Sequence, residues 1–287
     1  ERVVNTFKQG GVIIHELDKE HKFPVGEEVG GEIDLDRRTQ LAQHHTATHI
    51  VNAAARKVLG NHVNQAGAKK DIEKAHLDIT HFNNLTDEEL KKVEEESNKI
   101  VEEKYPVYLS FLAREDAEKR YGMRIYQGGA VPGKELRIVD IPGVDVECCG
   151  GTHLHNTSET GKIRLLKSNK ISDSIVRITF TSGDASDKEQ KVEGGILATA
   201  ATLLGVKPEQ VPSRAEELFT KWKKAKKAVQ KKRDISVEEL ELLSDESFDG
   251  DSLAKTADIL KTQPEHVPHT IKRFLEDLEK FKANLFK

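Results

Sequence analysis

Two pairs of side chains, His45-x3-His49 and Cys149-x3-His153, offer three imidazoles and one thiolate from segments about a hundred residues apart. Together they make a full tetrahedral shell for Zn²⁺, whose borderline-soft character suits nitrogen and sulfur donors. Either pair alone says little. With 12 His in 287 residues an HxxxH spacing arises readily, and two solvated surface histidines would look the same. For Cys149 the alternative is a buried free thiol beside a glycine turn. The joint occurrence of the two pairs is what points to a metal centre.

The elements that must position these donors can be read from the surrounding pattern. Residues 38–59 lack Pro, are rich in Ala and end at Gly60, which predicts a helix. At roughly 100° per residue, Ala47, Ile50, Val51, Ala54 and Val58 form one apolar stripe. His45 and His49, at i and i+4, share the opposite side, and His44 falls off that face as a neighbour. The second pair lies on a loop. It follows a strand-like run, Glu135–Asp140, the turn Pro142-Gly143 and Val144-Asp-Val-Glu-Cys-Cys149. Gly150-Gly151 is expected to allow a tight, unusual backbone path that lets Cys149 and His153 converge.

Cys148 and Cys149 are the only cysteines. A disulfide between sequence neighbours is strained, so a cross-link is not expected. No signal peptide and no bilayer-length apolar run is present, so the chain is expected to be cytoplasmic and free of the membrane. There, cysteines favour metal binding or catalysis.

These residues resemble a family. His45-x3-His49 with Cys149-Gly-Gly-Thr-His153 is similar to the editing domain of alanyl-tRNA synthetases and of free-standing deacylases of the same family. Val63-Asn-Gln-Ala-Gly67, Leu77-Asp-Ile-Thr-His81, Tyr126-Gln-Gly-Gly129 and Asp140-Ile-Pro-Gly143 resemble the archaeal type, and the likeness runs from about Thr6 to Gly183. The related threonyl enzymes normally carry Gly-Pro-His where this chain has Gly-Gly-Thr-His153.

The resemblance implies proofreading hydrolysis. A small alanine pocket rejects serine poorly and cannot exclude glycine by size, so a second site cleaves the wrong ester. The implied substrates are Ser-tRNA(Ala) and then Gly-tRNA(Ala), held by the tRNA acceptor end. By the same resemblance His45, His49, Cys149 and His153 hold Zn²⁺, either to activate water or to orient the ester. Four protein ligands fill the shell that a catalytic zinc usually leaves open, which favours an orienting role. Gln65 matches a family position close to the chemistry, where its amide could bond the substrate carbonyl or hydroxyl; an exposed strand residue is the alternative. Thr46 could contact the serine hydroxyl or bond its own preceding carbonyls. Where the family usually shows Arg, this chain has His76, a departure that touches one phosphate or adenosine contact.

The overall class expected is α+β. Residues 1–36 read as part of a small β-barrel, with strands near Gly11–His15 and Val29–Ile33. Residues 37–183 read as a zinc-binding editing domain, a mixed α/β sandwich like that of the alanyl and threonyl enzymes. Thr86-Asp-Glu-Glu89 is a capping box opening a helix to about Lys104, and strands are expected at Pro106–Ala113, Glu135–Asp140, Ile163–Leu166 and Ile175–Thr181. The chain begins without Met and shows no ATP-binding synthetase core, which reads as a fragment that edits and does not charge tRNA.

Residues 184–287 read as helical, with a two-fold repeat: Leu204, Pro208-Glu209 and Val211-Pro212 answer Leu260, Pro264-Glu265 and Val267-Pro268. Each unit is a short helix, a Pro-bounded turn and a longer amphipathic helix, the first starting at a capping box Ser213-x-x-Glu216. That helix carries Lys221, Lys223, Lys224, Lys226, Lys227, Lys231, Lys232 and Arg233, enough to neutralise several tRNA phosphates. A solvated face paired with the acidic stretch Asp234–Asp251 is the equal alternative. The family resemblance also puts self-association, as a homodimer, at this end. The chain is 36% hydrophobic and 33% charged with a net charge of −4, so a basic global field does not drive RNA binding. Two other readings compete: a free-standing deacylase, and a non-catalytic tRNA-binding module with a structural zinc.

Overall fold

The chain is described by a computed structural model. The structure describes residues 1–20, 23–127, 129, 131–231 and 235–285. Contacts divide it into two units, 1–38 and 39–287.

In the first unit, β1 (Val3–Gln9) and β2 (Val12–Leu17) form an antiparallel hairpin. Its turn is Gly10-Gly11, both at positive φ, as a two-residue turn that matches strand twist requires. No closed barrel forms among the described residues. The strand expected over Val29–Ile33 is also absent: the segment is irregular there. Gly30 and Gly31 give it no side chains to pack, and it pairs with no strand among the described residues.

The second unit is organised around α1 (Leu35–Leu59), whose body enters it at Thr39. One side of α1 packs on an antiparallel sheet ordered β3-β4-β9-β8, made of β3 (Gln65–Lys70), β4 (Ala75–Thr80), β9 (Ile175–Thr181) and β8 (Arg164–Ser172). The expected stripe Ala47, Ile50, Val51 and Ala54 meets Leu77, Ile79, Val176, Ile178 and Phe180 in one apolar cluster, with Val58 at its margin. Helix α2 (Asp87–Glu102) closes this core with Val93 and Ile100, and its Thr86 capping box is formed as expected. Neither β3 nor β4 was among the expected strands; Gln65–Lys70 carries no apolar residue larger than Ala, whereas β4 alternates Ala75, Leu77 and Ile79 on its buried face.

A smaller sheet, β5-β6-β7, consists of β5 (Tyr108–Ala113), β6 (Glu135–Ile141) and β7 (Asp145–Cys148). One β6 face, Leu136 and Ile138, packs on Ala117 of α3 (Arg114–Tyr121) and on Ile125. The other face sets Val139 and Ile141 against Val107.

Among the described residues, the rest holds the α-helices α4 (Asp184–Leu204), α5 (Val211–Lys231), α6 (Ser252–Leu260) and α7 (Val267–Leu285). The repeat is visible in their joints. Gly205 and Lys261 both end a helix at positive φ, 64° and 55°, and Pro208 and Pro264 each open a short 3₁₀ turn. The first short helix of the repeat is the tail of the long α4. The boundary placed at Ser213 is corrected: α5 begins at Val211, and Ser213 Oγ donates to Gln210 O from inside its first turn. Pro212 stands where a helix's N–H is unsatisfied anyway, so the helix can start ahead of it. An apolar cluster including Leu204, Leu218, Leu260, Phe274 and Leu278 fills this region. Arg164 of β8 pairs with Glu193 of α4 at 2.6 Å.

Candidate metal centre

Side chains at i, i+4, i+7 and i+11 of a helix share one face. On α1 these positions are His45, His49, Asn52 and Arg56, and they turn away from the large sheet. Alternate residues of an extended segment share a face too, and from β7 onward these are Asp145, Glu147 and Cys149. The two rows zip together. Arg56 Nη1 reaches Asp145 at 3.5 Å, Asn52 Nδ2 donates to Glu147 at 3.1 Å, and His45 Nε2 lies 3.2 Å from Cys149 Sγ. His153 Nε2 closes the group at 3.3 Å from the same sulfur.

The donor atoms of His45, His49, Cys149 and His153 all lie within 4.8 Å of one another. A tetrahedral zinc with bonds of about 2.0–2.3 Å separates its ligand atoms by roughly 3.3–3.7 Å. The two sulfur–nitrogen separations sit at the edge of that range. The electrostatics also fit a cation. Burial pushes the Cys149 thiol up, but hydrogen bonds from His153, His45 and His49 outweigh it and hold the group at about 2, as a thiolate. Burial pushes His153 down to about 4 and lowers His45, so both rings are neutral ligands at pH 7. His153 Nδ1 is buried with no hydrogen-bond partner. The donor set and its spacing fit Zn²⁺.

A carboxylate pair orients the second histidine. His49 Nδ1 meets Asp145 Oδ2 at 3.0 Å and Glu147 Oε2 at 3.4 Å, turning Nε2 toward the sulfur. Burial drives the Glu147 carboxyl up to about 8. At His49 burial acts downward, but Glu147, Asp145 and Cys149 overcome it and raise the ring well above its usual value. Asp145 and Glu147 were not singled out from the sequence. Their i, i+2 spacing just ahead of Cys149 was the available signal.

Arg137 of β6 fixes the loop, donating to Cys149 O at 2.5 Å and to Gly151 O at 2.8 Å. The glycines act differently from expectation. Neither Gly150 nor Gly151 has a positive φ. Gly151 is small because the His45 ring lies against it: a Cβ there would meet His45 Cε1 at 1.9 Å, whereas Gly150 faces open space.

The remaining site residues are placed as follows. Thr46 is fully buried, and its hydroxyl accepts the Leu154 N–H at 3.1 Å. It anchors the His153 loop to α1. Gln65 opens β3 opposite Ile79, on the sheet face turned to α1, and its backbone N–H donates to Gln127. Its side-chain amide is not brought into hydrogen bonding with the four donors among the described residues. His44 is buried on Asp71 O and Gln40, a neighbour as expected. His76 points to the sheet face away from α1, beside the Arg177–Asp78 pair. Gly128 of the Tyr126–Gly129 segment lies outside the described residues.

Residues 136–179 match the family described as the threonyl and alanyl tRNA synthetase second additional domain. An alanine–tRNA ligase of Methanocella arvoryzae is 49% identical over 222 residues, 77% of this chain and 25% of the relative. The corresponding ligase of Pyrococcus abyssi is 45% identical over 230 residues, 80% and 25% of the two chains. One from Methanococcus maripaludis is 42% identical over 228 residues, 79% and 26%. The chain is a relative of the alanyl-tRNA synthetases. It spans about a quarter of the length of the curated relatives it matches. The domain shared with alanyl and threonyl synthetases begins within β6 and runs through the Cys149–His153 loop into β9, so it takes in two of the four donors. The HxxxH pair of this synthetase relative lies outside that match, on α1.

The basic helix of this alanyl-tRNA synthetase relative is partly occupied. Lys221 bonds Glu217 at 2.8 Å and the Glu241 carbonyl, and Lys224 pairs with Glu239. Lys223 and Lys226 lie over the Phe219 and Trp222 rings, and Lys227 is exposed. Lys232 and Arg233 fall outside the described residues. Among the described residues no helix is long and apolar enough to cross a membrane.

Proposed function

We propose that this chain hydrolyses mischarged tRNA, with Ser-tRNA(Ala) as first substrate and Gly-tRNA(Ala) as second. The observation that carries the reading is the four-donor cluster built in a relative of the alanyl-tRNA synthetases. Water adds its oxygen to the ester carbonyl carbon, the bond to the terminal ribose oxygen breaks, and that oxygen takes a proton. The products are free amino acid and intact tRNA.

His45, His49, Cys149 and His153 would hold Zn²⁺. When bound, it would supply Lewis-acid polarisation and orientation of the ester. The chain's own residues prepare the rest. Asp145 fixes the His49 ring, Arg137 and Thr46 hold the donor loop, and Gln65 offers its amide to the ester carbonyl or the serine hydroxyl. The tRNA acceptor end would reach this site while Lys223, Lys226 and Lys227 screen phosphates elsewhere on the RNA. Self-association through the helical region and a cytoplasmic location belong to the same proposal; exposed Val192 and Leu243 leave apolar surface there for a second copy.

Deacylation of Ser-tRNA(Ala) by the wild type, His45→Ala and Cys149→Ala, with zinc content measured on each, tests the reading. Loss of both metal and activity in the variants is expected. Full activity with neither metal nor those side chains overturns it. The filled donor shell also allows a purely structural zinc in a tRNA-binding module. A chelator separates the two: lost activity with the fold retained supports catalysis, and unfolding supports the structural role.

A further inference from the structure

Lys70 closes β3 in a position no expectation assigned. The pairing of β3 with β4 sets Ala68 opposite Leu77 and Lys70 opposite Ala75, both fully or nearly buried partners on the α1 side of the sheet. Lys69 and His76 take the other face. Lys70 is therefore turned inward, the same way as Gln65. The next residue fixes its height along α1, because Asp71 O bonds His44 Nδ1 at 2.6 Å, one residue from the ligand His45. The side chain is half-buried, and no ion pair or hydrogen bond holds its ammonium among the described residues. Its charge is felt at Cys149, Glu147 and His45.

An inward ammonium without a partner is costly to keep unless it has a task. Here strand register and the Asp71–His44 bond set it level with the turn of α1 that carries His45. The acidic groups nearby are already committed: Asp145 to His49 and Arg56, Glu147 to Asn52 and His49. Beside the Gln65 amide, a fixed cationic donor would stabilise the negative charge that grows on a carbonyl oxygen during ester hydrolysis.

We propose that Lys70 is a catalytic residue whose ammonium donates a hydrogen bond to the carbonyl oxygen of the aminoacyl ester. This rests on the hydrolytic reading given above. As the water oxygen bonds to the carbonyl carbon, the carbonyl electron pair moves onto that oxygen and Lys70 stabilises it. When the carbonyl re-forms, the bond to the ribose oxygen breaks. Lys70 keeps its protons throughout.

The test compares wild type, His45→Ala, Lys70→Met, Lys70→Gln and Lys70→Arg on Ser-tRNA(Ala) and on a seryl ester of adenosine that carries no phosphate. For Lys70→Met a fall in kcat of about 10²–10³-fold is expected on both substrates, with KM little changed. Zinc content and the unfolding midpoint stay at wild-type values, and Lys70→Arg recovers part of the rate. Should the Met variant fold poorly, Lys70→Gln carries the same expectation. Unchanged kcat in the Met and Gln variants overturns the proposal while leaving the hydrolytic reading intact. So does a loss seen only with tRNA and only in KM, which assigns Lys70 to a phosphate. A zinc-loaded wild type inactive on both esters overturns the hydrolytic reading, and Lys70 falls with it.

Discussion

Helices α1 and α5 have similar lengths, 25 and 21 residues, and both carry many polar side chains, but they bury opposite kinds. Besides its alanines and branched apolar residues, α1 buries Gln40, His44, Thr46, Thr48, His49 and Asn52. Helix α5 buries Val211, Pro212, Ala215, Leu218, Ala225 and Ala228, and its charged side chains are half-buried or exposed. Burying a polar group costs free energy unless it is bonded. On α1 the bonds are supplied one by one: Gln40 to Ser182 O and the Ala185 N–H, His44 to Asp71 O, Thr46 to Leu154, His49 to Asp145 and Asn52 to Glu147. A helix serving only stability has no use for such an arrangement. The difference separates a helix that builds the four-donor cluster from one that builds a scaffold with a charged exterior.

The strongest way to break that comparison is to truncate one buried residue in each helix. His49→Ala leaves Asp145 and Glu147 in the interior with Arg56 and Asn52 as their remaining partners. Removing one side of a buried charged pair costs about 3–5 kcal/mol. Leu218→Ala opens an apolar cavity at a cost of about 2–5 kcal/mol. Denaturant unfolding of both metal-free proteins measures the losses, and zinc content separates them. The His49 variant loses its metal and the Leu218 variant retains it. A His49 loss below about 1 kcal/mol would show that its acids need no partner.

The same contrast explains how far the sequence could be read. The apolar stripe of α1, the capping box at Thr86 and the paired turns at Pro208 and Pro264 obey local rules of spacing and capping, so they were legible. The four donors were legible because their element types and spacings are unusual together. Strand β3 was not, since a strand of Gln, Ala, Gly and Lys has no alternating apolar signal and is held by its neighbours. Asp145 and Glu147 look like loop acids until β7 lays them against His49. The lysines of α5 looked uniform in sequence, but Glu217, Glu239 and Glu241, which are near only in space or across a turn, divide them into paired and free. Tertiary partners decide such cases, and one chain's periodicity does not contain them.

A second test sharpens the site half of the comparison through two adjacent glycines. Gly151→Ala drives a methyl group into the His45 ring, and overpacking of this kind costs about 1–3 kcal/mol. The displaced ring should weaken zinc binding. Gly150→Ala, with nothing within 4 Å of its Cβ position, should bind zinc as the wild type does. Equal zinc affinity in the two variants would mean that the loop yields without moving His45.

On the scaffold side Glu217 gathers several polar contacts. Its carboxylate accepts from Lys221 Nζ, from the Leu243 and Ser244 N–H groups and from Ser244 Oγ, fastening the acidic segment onto α5. Burial pushes the carboxyl up, but these hydrogen bonds outweigh it and hold it below its usual value. A depressed carboxyl stabilises the fold above its unfolded pKa of about 4.3 and loses that contribution as pH falls through the folded value. Glu217→Gln should therefore cost about 1–2 kcal/mol at pH 7. The gap to wild type should close below about pH 4. A gap independent of pH would assign the loss to packing.

The smallest effect on stability is expected where the comparison makes its claim about function. Lys223, Lys226 and Lys227 are exposed, and none of the three pairs with a carboxylate among the described residues, in contrast to Lys221 and Lys224. Changing surface charges of this kind moves stability by no more than about 0.5 kcal/mol. If this face meets RNA, Lys223→Glu and Lys227→Glu should weaken tRNA binding while leaving cleavage of a seryl ester of adenosine unchanged. Each lost phosphate contact should lower the slope of log affinity against log salt by about 0.7–0.9. Lys224→Glu serves as the internal control, because its ammonium is already neutralised by Glu239. Equal loss of affinity at Lys224 and Lys227 would mean that the RNA competes successfully with the acidic segment. In that case the acidic segment is a cover that the RNA displaces, and α5 is a binding helix as much as a scaffold.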